Sequence, residues 1–235
     1  MDNPPQPFRR TVPPRPASIR RGLLSCTVAL AATGLVGGLA PAAQAAPANG
    51  PDAPVAAPAR IEPFATYQPQ STCDPKPKPG TVGLANTLLA YYNAGRNGGI
   101  SRNCSIGGRS EHKEGRAFDW MLSVNRPSER ATAEQFISWL LNAGPNGEAA
   151  YNARRLGVMY VIWNGRIWSA DHAARGWLRY RGSNPHVDHI HISLSWSGAM
   201  KRTSFWTGVR ADVNLGTDVQ TPAPALGDGE EEDDD

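Results

Sequence analysis

Apolar positions between residues 67 and 215 recur in two rhythms. Val82, Leu84, Ala85, Leu88, Leu89 and Tyr92 fall at helical spacing, with Gly95 just beyond, which predicts a first helix after the extended entry Asp74-Pro75-Lys76-Pro77-Lys78-Pro79-Gly80. Residues 95 to 116 are rich in Gly, Ser, Asn and Arg and read as a loop. Ala117 to Val124 is short and largely apolar, the signature of a buried strand, and Asn125-Arg126-Pro127-Ser128 turns the chain. Phe136, Ile137, Trp139, Leu140 and Leu141 predict an amphipathic helix over 133–143, and a second helix spans 148–156, ending at Gly157. Val158 to Trp163 predicts a strand, Asn164-Gly165 a tight hairpin, Arg166-Ile167-Trp168 its return, and 187–194 the last strand. Helices and strands that do not alternate as β-α-β predict an α+β domain, a small antiparallel sheet flanked by helices.

The flanks have a different character. The chain has 235 residues, 40% hydrophobic and 19% charged, enough for a real core, while its 21 prolines crowd towards both ends. Arg20-Arg21, the apolar run from Gly22 to Leu39, Pro41 and Ala43-Gln44-Ala45 make residues 1–45 a secretory signal, of general or twin-arginine type. The Gly37-Gly38 pair and the lack of a following basic cluster argue against an anchor, so no membrane span is expected in the mature chain. Residues 46–66 are Ala/Pro-rich and read as a linker, 67–215 as the domain, and 216–235 as a disordered acidic tail. Net charge divides accordingly: +4 over residues 1–45, +7 over 46–217 and −8 over 218–235. A basic domain suits polyanionic surroundings, among them a cell wall, without choosing between them. Cys26 leaves with the signal, and the two remaining cysteines of an exported chain, Cys73 and Cys104, predict a disulfide.

Four of the five histidines fall in two short motifs, Ser110-Glu111-His112-Lys113-Glu114-Gly115-Arg116-Ala117-Phe118-Asp119 and His186-Val187-Asp188-His189-Ile190-His191. On a strand His189 and His191 share a face, and Asp119 interrupts an otherwise apolar strand. A carboxylate and paired imidazoles in a sheet interior need a compensating cation. Two imidazoles and one carboxylate with a fourth position open is the donor set of a catalytic Zn²⁺ site. His172 has no motif partner and reads as a surface residue, and Trp139, Trp163, Trp168, Trp177 and Trp196 read mostly as core.

The pattern Ser-x-His-x-x-Gly-x-Ala-x-Asp, followed by His-x-Asp-His-x-His, resembles the zinc D-Ala-D-Ala peptidases and murein endopeptidases, whose fold the Hedgehog signalling domain shares. The resemblance covers roughly residues 67 to 210 and implies Zn²⁺ held by His112, Asp119 and His191. It also implies Arg102, in the loop before His112, as a group that stabilises an oxyanion or grips a substrate carboxylate. The base is Asp188 or His189, with His186 orienting or replacing either. Asp188 qualifies only where a bulge or turn interrupts the strand, because an ideal strand points it away from His191. Ser110 orients the loop or binds substrate. The expected activity is a secreted, wall-associated, monomeric zinc peptidase acting on peptidoglycan peptides, with no nucleic-acid partner. A zinc-bearing wall-binding module is the alternative, and a secreted nuclease is weaker because no nuclease motif is complete.

Overall fold

The computed structural model describes residues 50–214. The signal segment, with Cys26, and the acidic tail lie outside the described residues. The order of elements is helix α1 (Pro79–Tyr92), strand β1 (Arg96–Gly99), a 3-10 turn (Glu111–Glu114), β2 (Ala117–Met121), α2 (Pro127–Leu141), α3 (Tyr151–Leu156), β3 (Val158–Trp163), β4 (Arg166–Ser169), a second 3-10 turn (Ala170–Arg175), β5 (Leu178–Arg179), β6 (Ile190–Leu194), α4 (Trp196–Ala199) and α5 (Ser204–Thr207). The described residues form an α+β fold with a six-stranded sheet, antiparallel at every pairing, in the order β1-β2-β6-β3-β4-β5. Among the described residues no helix is long and apolar enough to cross a membrane.

Strand alternation divides the sheet into two unlike faces. Phe118 and Trp120 of β2 pair with Ile192 and Ile190 of β6, and Val161 of β3 pairs with Ile192, so these five buried residues share one face. Helices cover it: the Trp120 ring lies 5.4 Å from Tyr92 of α1 and 5.6 Å from Phe136 of α2. The opposite face carries Ala117 and Asp119 of β2, His191 and Ser193 of β6, and Tyr160 and Ile162 of β3. A one-residue slip of β6 would exchange His191 and Ser193 for isoleucines, so the apolar packing of the first face fixes the polar composition of the second.

The structure differs from the sequence reading at several boundaries. Helix α2 begins at Pro127 rather than 133, because a proline in the first turn has no intrahelical hydrogen bond to lose. Strand β1, Arg-Asn-Gly-Gly, falls inside the expected loop; it is largely exposed and is a strand only through its pairing with β2. The last strand starts at Ile190 rather than 187, since Val187 and Asp188 form a bend. Residues 50–66, expected to be a linker, form neither helix nor strand, yet they are tied to the domain. Ile61 and Ala65 are buried, and buried Glu62 accepts from Ser204 N and Oγ at 2.6 and 2.7 Å and from Ala211 N at 3.0 Å. The Glu62 carbonyl accepts from Arg154 Nε at 2.7 Å.

Candidate metal centre

The register of β2 and β6 sets Asp119 directly opposite His191 on the polar face. The 3-10 turn before β2 brings in His112. Ser110 caps that turn by accepting from His112 N at 3.3 Å, and its own N–H is held by Gln70 Oε1 at 2.9 Å, so the buried Ser110 orients the loop. Gly115 closes the turn at φ 65, and a Cβ there would lie 2.1 Å from the Lys76 carbonyl oxygen, so only glycine lets the loop re-enter the sheet at this point. A Cys73–Cys104 disulfide links the entry segment to the loop leading to His112, and Asp74 N donates to Lys113 O at 2.9 Å. Arg102 lies alongside, its N–H donating to His112 O at 3.1 Å.

The three side chains converge, with one ligand atom from each lying within 4.8 Å of the others. His112 Nε2 is 3.1 Å from Asp119 Oδ2 and 3.3 Å from His191 Nδ1, and His191 Nδ1 is 3.0 Å from Asp119 Oδ1. Hydrogen bonds on the far sides of the rings assign the tautomers. His112 Nδ1 faces the Ile100 carbonyl at 3.1 Å; a carbonyl only accepts, so Nδ1 carries the proton and Nε2 presents its lone pair inward. Ser193 Oγ gives its single proton to Glu111 Oε2 at 3.3 Å, so it accepts from His191 Nε2 at 3.0 Å and leaves His191 Nδ1 as a second inward lone pair. Tyr160 also donates to Glu111 Oε2, and its ring stacks on His191 at 5.5 Å. Burial, the largest single influence on Asp119, would raise its pKa; only when the inward nitrogens of His112 and His191 carry protons do these rings outweigh it and hold the carboxyl well below the usual carboxylate range. Two imidazole lone pairs and a carboxylate turned towards one another, each backed by a hydrogen bond or a pair partner, form a group that could hold a metal ion.

His189 and His186 border this group. His189 Nε2 is 3.8 Å from Asp119 Oδ1, while His189 Nδ1 faces Asp188 Oδ1 at 2.8 Å. The bend at 187–188 is the interruption that an Asp188 role requires, and it sends the carboxylate to the outer side of His189. The Asp188 side chain is 63% exposed. His186 is buried, with Nδ1 donating to Asn184 O at 2.7 Å and its ring 4.6 Å from His189 and 5.8 Å from His191. His172 is not one of the converging residues and pairs with Asp171 at 2.9 Å. Trp139, Trp163 and Trp168 are core, whereas Trp177 and Trp196 are half-buried.

The family model described as VldE, C-terminal domain, matches residues 73–191, just over half of the chain. The chain belongs to that family. The match runs from the first disulfide cysteine to the last residue of the His-Asp-His group, so in this VldE C-terminal domain the matched span contains both motifs. No curated protein and no solved structure matches. The residues that sequence reasoning passed over in this domain are Tyr160, Glu111 and Ser193. Ser193 lies two positions after His191 on the same strand, so alternation could have placed it on the site face. Tyr160 and Glu111 meet it only through tertiary pairing.

Proposed function

We propose that the chain is a secreted zinc peptidase that hydrolyses amide bonds in peptidoglycan stem peptides or cross-links. The observation that carries this reading is the convergence of the His112, Asp119 and His191 donor atoms with a fourth ring, His189, at their edge. The donor set, two nitrogens and one carboxylate oxygen, is that of zinc sites that keep a position open for chemistry. When bound there, zinc supplies Lewis acidity that polarises a carbonyl and acidifies water. The motif resemblance supplies the substrate class, and the Cys73–Cys104 disulfide fits an oxidising, extracytoplasmic location.

His189 is the general base in this reading. Its Nδ1–H donates to Asp188, so Nε2 bears the lone pair on the side of Asp119. That nitrogen takes a proton from the water attacking the amide carbonyl and returns it to the leaving amine. Asp188 is a positioning residue, fixing the tautomer and the ring plane. His186 packs behind His189, and Arg102, beside the His112 turn, is the candidate grip for an oxyanion or a carboxylate.

Digestion of defined muropeptides, with and without chelator and read by mass spectrometry, tests activity, metal need and bond together. His189→Ala is expected to keep its metal and lose turnover by about 10²–10⁴-fold, and Asp188→Asn to lose less. Metal-loaded wild type that leaves every muropeptide intact would overturn the peptidase reading in favour of a wall-binding module. Full activity in His189→Ala would remove His189 as the base.

A further inference from the structure

Between the β4–β5 pairing and the segment leading to His186 lies a cavity of ≈ 570 Å³ lined by Gly165, Arg179, Tyr180, Arg181, Gly182 and Pro185. Its size falls within the roughly 300–1,000 Å³ of small-ligand sites. We propose that this pocket binds a carboxylate carried by the substrate chain, away from the scissile bond, which rests on the peptide-substrate reading above and adds a second anchoring point to it.

The charge of the pocket is one-sided: Arg179 and Arg181 line it and no acidic residue does. The surrounding segment 164–185 adds Arg166 and Arg175 against a single acid, Asp171, which is engaged by His172. Arg166 and Arg179 stand directly opposite one another on β4 and β5, an arrangement of like charges that costs stability. Arg166 also donates to Trp177 O at 3.0 Å, while among the described residues neither Arg179 nor Arg181 has a carboxylate partner. Exposed guanidiniums that converge on a cavity offer paired, charge-assisted hydrogen bonds to a carboxylate.

The walls are held by backbone bonds rather than by loose loops. Tyr180 N donates to Gly165 O at 2.9 Å, Gly165 N to Pro185 O at 2.6 Å and Asn164 N to His186 O at 2.9 Å. Gly182 allows the Tyr180 phenol to close over it, since a Cβ there would lie 2.3 Å from Tyr180 Oη. The pocket is linked to the metal group through one intervening ring: Tyr180 meets His186 edge-on at 5.2 Å, and His186 lies 5.8 Å from His191.

The test uses a synthetic stem pentapeptide whose internal carboxylate is free or amidated. Binding is measured calorimetrically in the His189→Ala background, with and without the added pair Arg179→Gln and Arg181→Gln, and turnover is followed in parallel on wild type. Both arginines are exposed, so the variants should keep their fold and metal content. Amidation is expected to weaken binding about tenfold when the arginines are present and to have no effect when they are absent. Equal binding of the two peptides in the arginine-bearing protein, or an amidation effect that survives the double substitution, overturns the proposal. If neither peptide is hydrolysed by wild type but the charge-dependent difference persists, the pocket assignment stands and the peptidase reading falls. Hydrolysis of both peptides with no difference in binding does the reverse.

Discussion

Replacing Arg116 with Met should unfold this domain more readily than any single change at its surface, and the reason can be worked out bond by bond. Arg116 is fully buried. Its Nε donates to Glu114 Oε2 at 2.9 Å, one terminal nitrogen donates to Leu194 O at 2.7 Å, and the other to Gln68 O at 2.8 Å and again to Glu114. The guanidinium lies 4.7 Å from the Trp196 ring centre. Glu114, equally buried, uses Oε1 to accept from Ser71 N, Thr72 N and Thr72 Oγ1 at 2.9–3.0 Å. Met fills much of the volume but leaves the carboxylate buried without its cation, a loss of about 3–5 kcal/mol. For a domain of this size that corresponds to a fall in Tm of about 6–20 °C.

The pH dependence makes the test specific. Burial is the largest single influence on Glu114 and would raise its pKa; Arg116 and the N–H groups of Ser71 and Thr72 outweigh it and hold the carboxyl below its ordinary value of 4.5. A carboxylate depressed on folding contributes stability that is fully present above the unfolded pKa and is lost as pH falls through the lower folded-state value. Wild type should therefore lose this contribution only below about pH 4.5. In Arg116→Met burial acts with less opposition, Glu114 holds its proton to higher pH, and the deficit relative to wild type shrinks as pH is lowered from 7 towards 4. Urea denaturation across that range is the assay, and adding Glu114→Gln to Arg116→Met should restore part of the loss. A deficit below about 1 kcal/mol at pH 7, or one that stays constant with pH, would refute the reasoning.

Two further outcomes are expected. His191→Ala removes one of the three converging donors, so elemental analysis should find about one metal ion per chain in wild type and little in the variant; undiminished metal content would reassign the site. Cys73→Ser opens the loop between residues 73 and 104 and should cost about 3–4 kcal/mol on the chain-entropy model, measured by denaturation of the oxidised and the substituted protein.

Elements whose apolar content exceeds their surroundings were legible in the sequence: β3 at Val158–Trp163, its hairpin through Asn164-Gly165, and the body of α1. What escaped was structure held by backbone pairing alone, as in β1, where Arg-Asn-Gly-Gly has no apolar side chain to announce a strand. The same limit applies to segment 50–66, whose few buried side chains are positioned by partners about 90 to 150 residues away, such as Arg154, Ser204 and Ala211 on Glu62. At the site, spacing alone brought out the two motifs, and the register of β2 against β6 joins Asp119 to His191. The start of β6 was not legible, because Val187 and Ile190 suit a strand equally well and only the bend at 187–188 separates His189 from it. That bend also sets the Asp188 carboxylate on the outer side of His189, so the part of the site hardest to read was the part to which the proposed mechanism assigns the proton.

Three carboxylates lie against the polar face of the sheet, Glu111, Glu114 and Asp119; Glu111 is held by the hydroxyls of Tyr160 and Ser193, and the partners of the other two differ in kind. Glu114 has Arg116, a cation that is charged at every pH and covalently part of the chain, and the pair is closed by five further donors and acceptors. Asp119 has no lysine or arginine within ion-pair distance among the described residues; its partners are His112, His191 and, farther off, His189. Burying a carboxylate is costly without positive charge, and neutral imidazoles do not supply it. A fold that provides a permanent cation for one carboxylate, and surrounds the other with groups that are neutral, lone-pair donors when their outer nitrogens are protonated, leaves the second to be balanced by a proton or an exchangeable ion. The outer hydrogen bonds to Ile100 and Ser193 hold His112 and His191 in the tautomers that favour the ion.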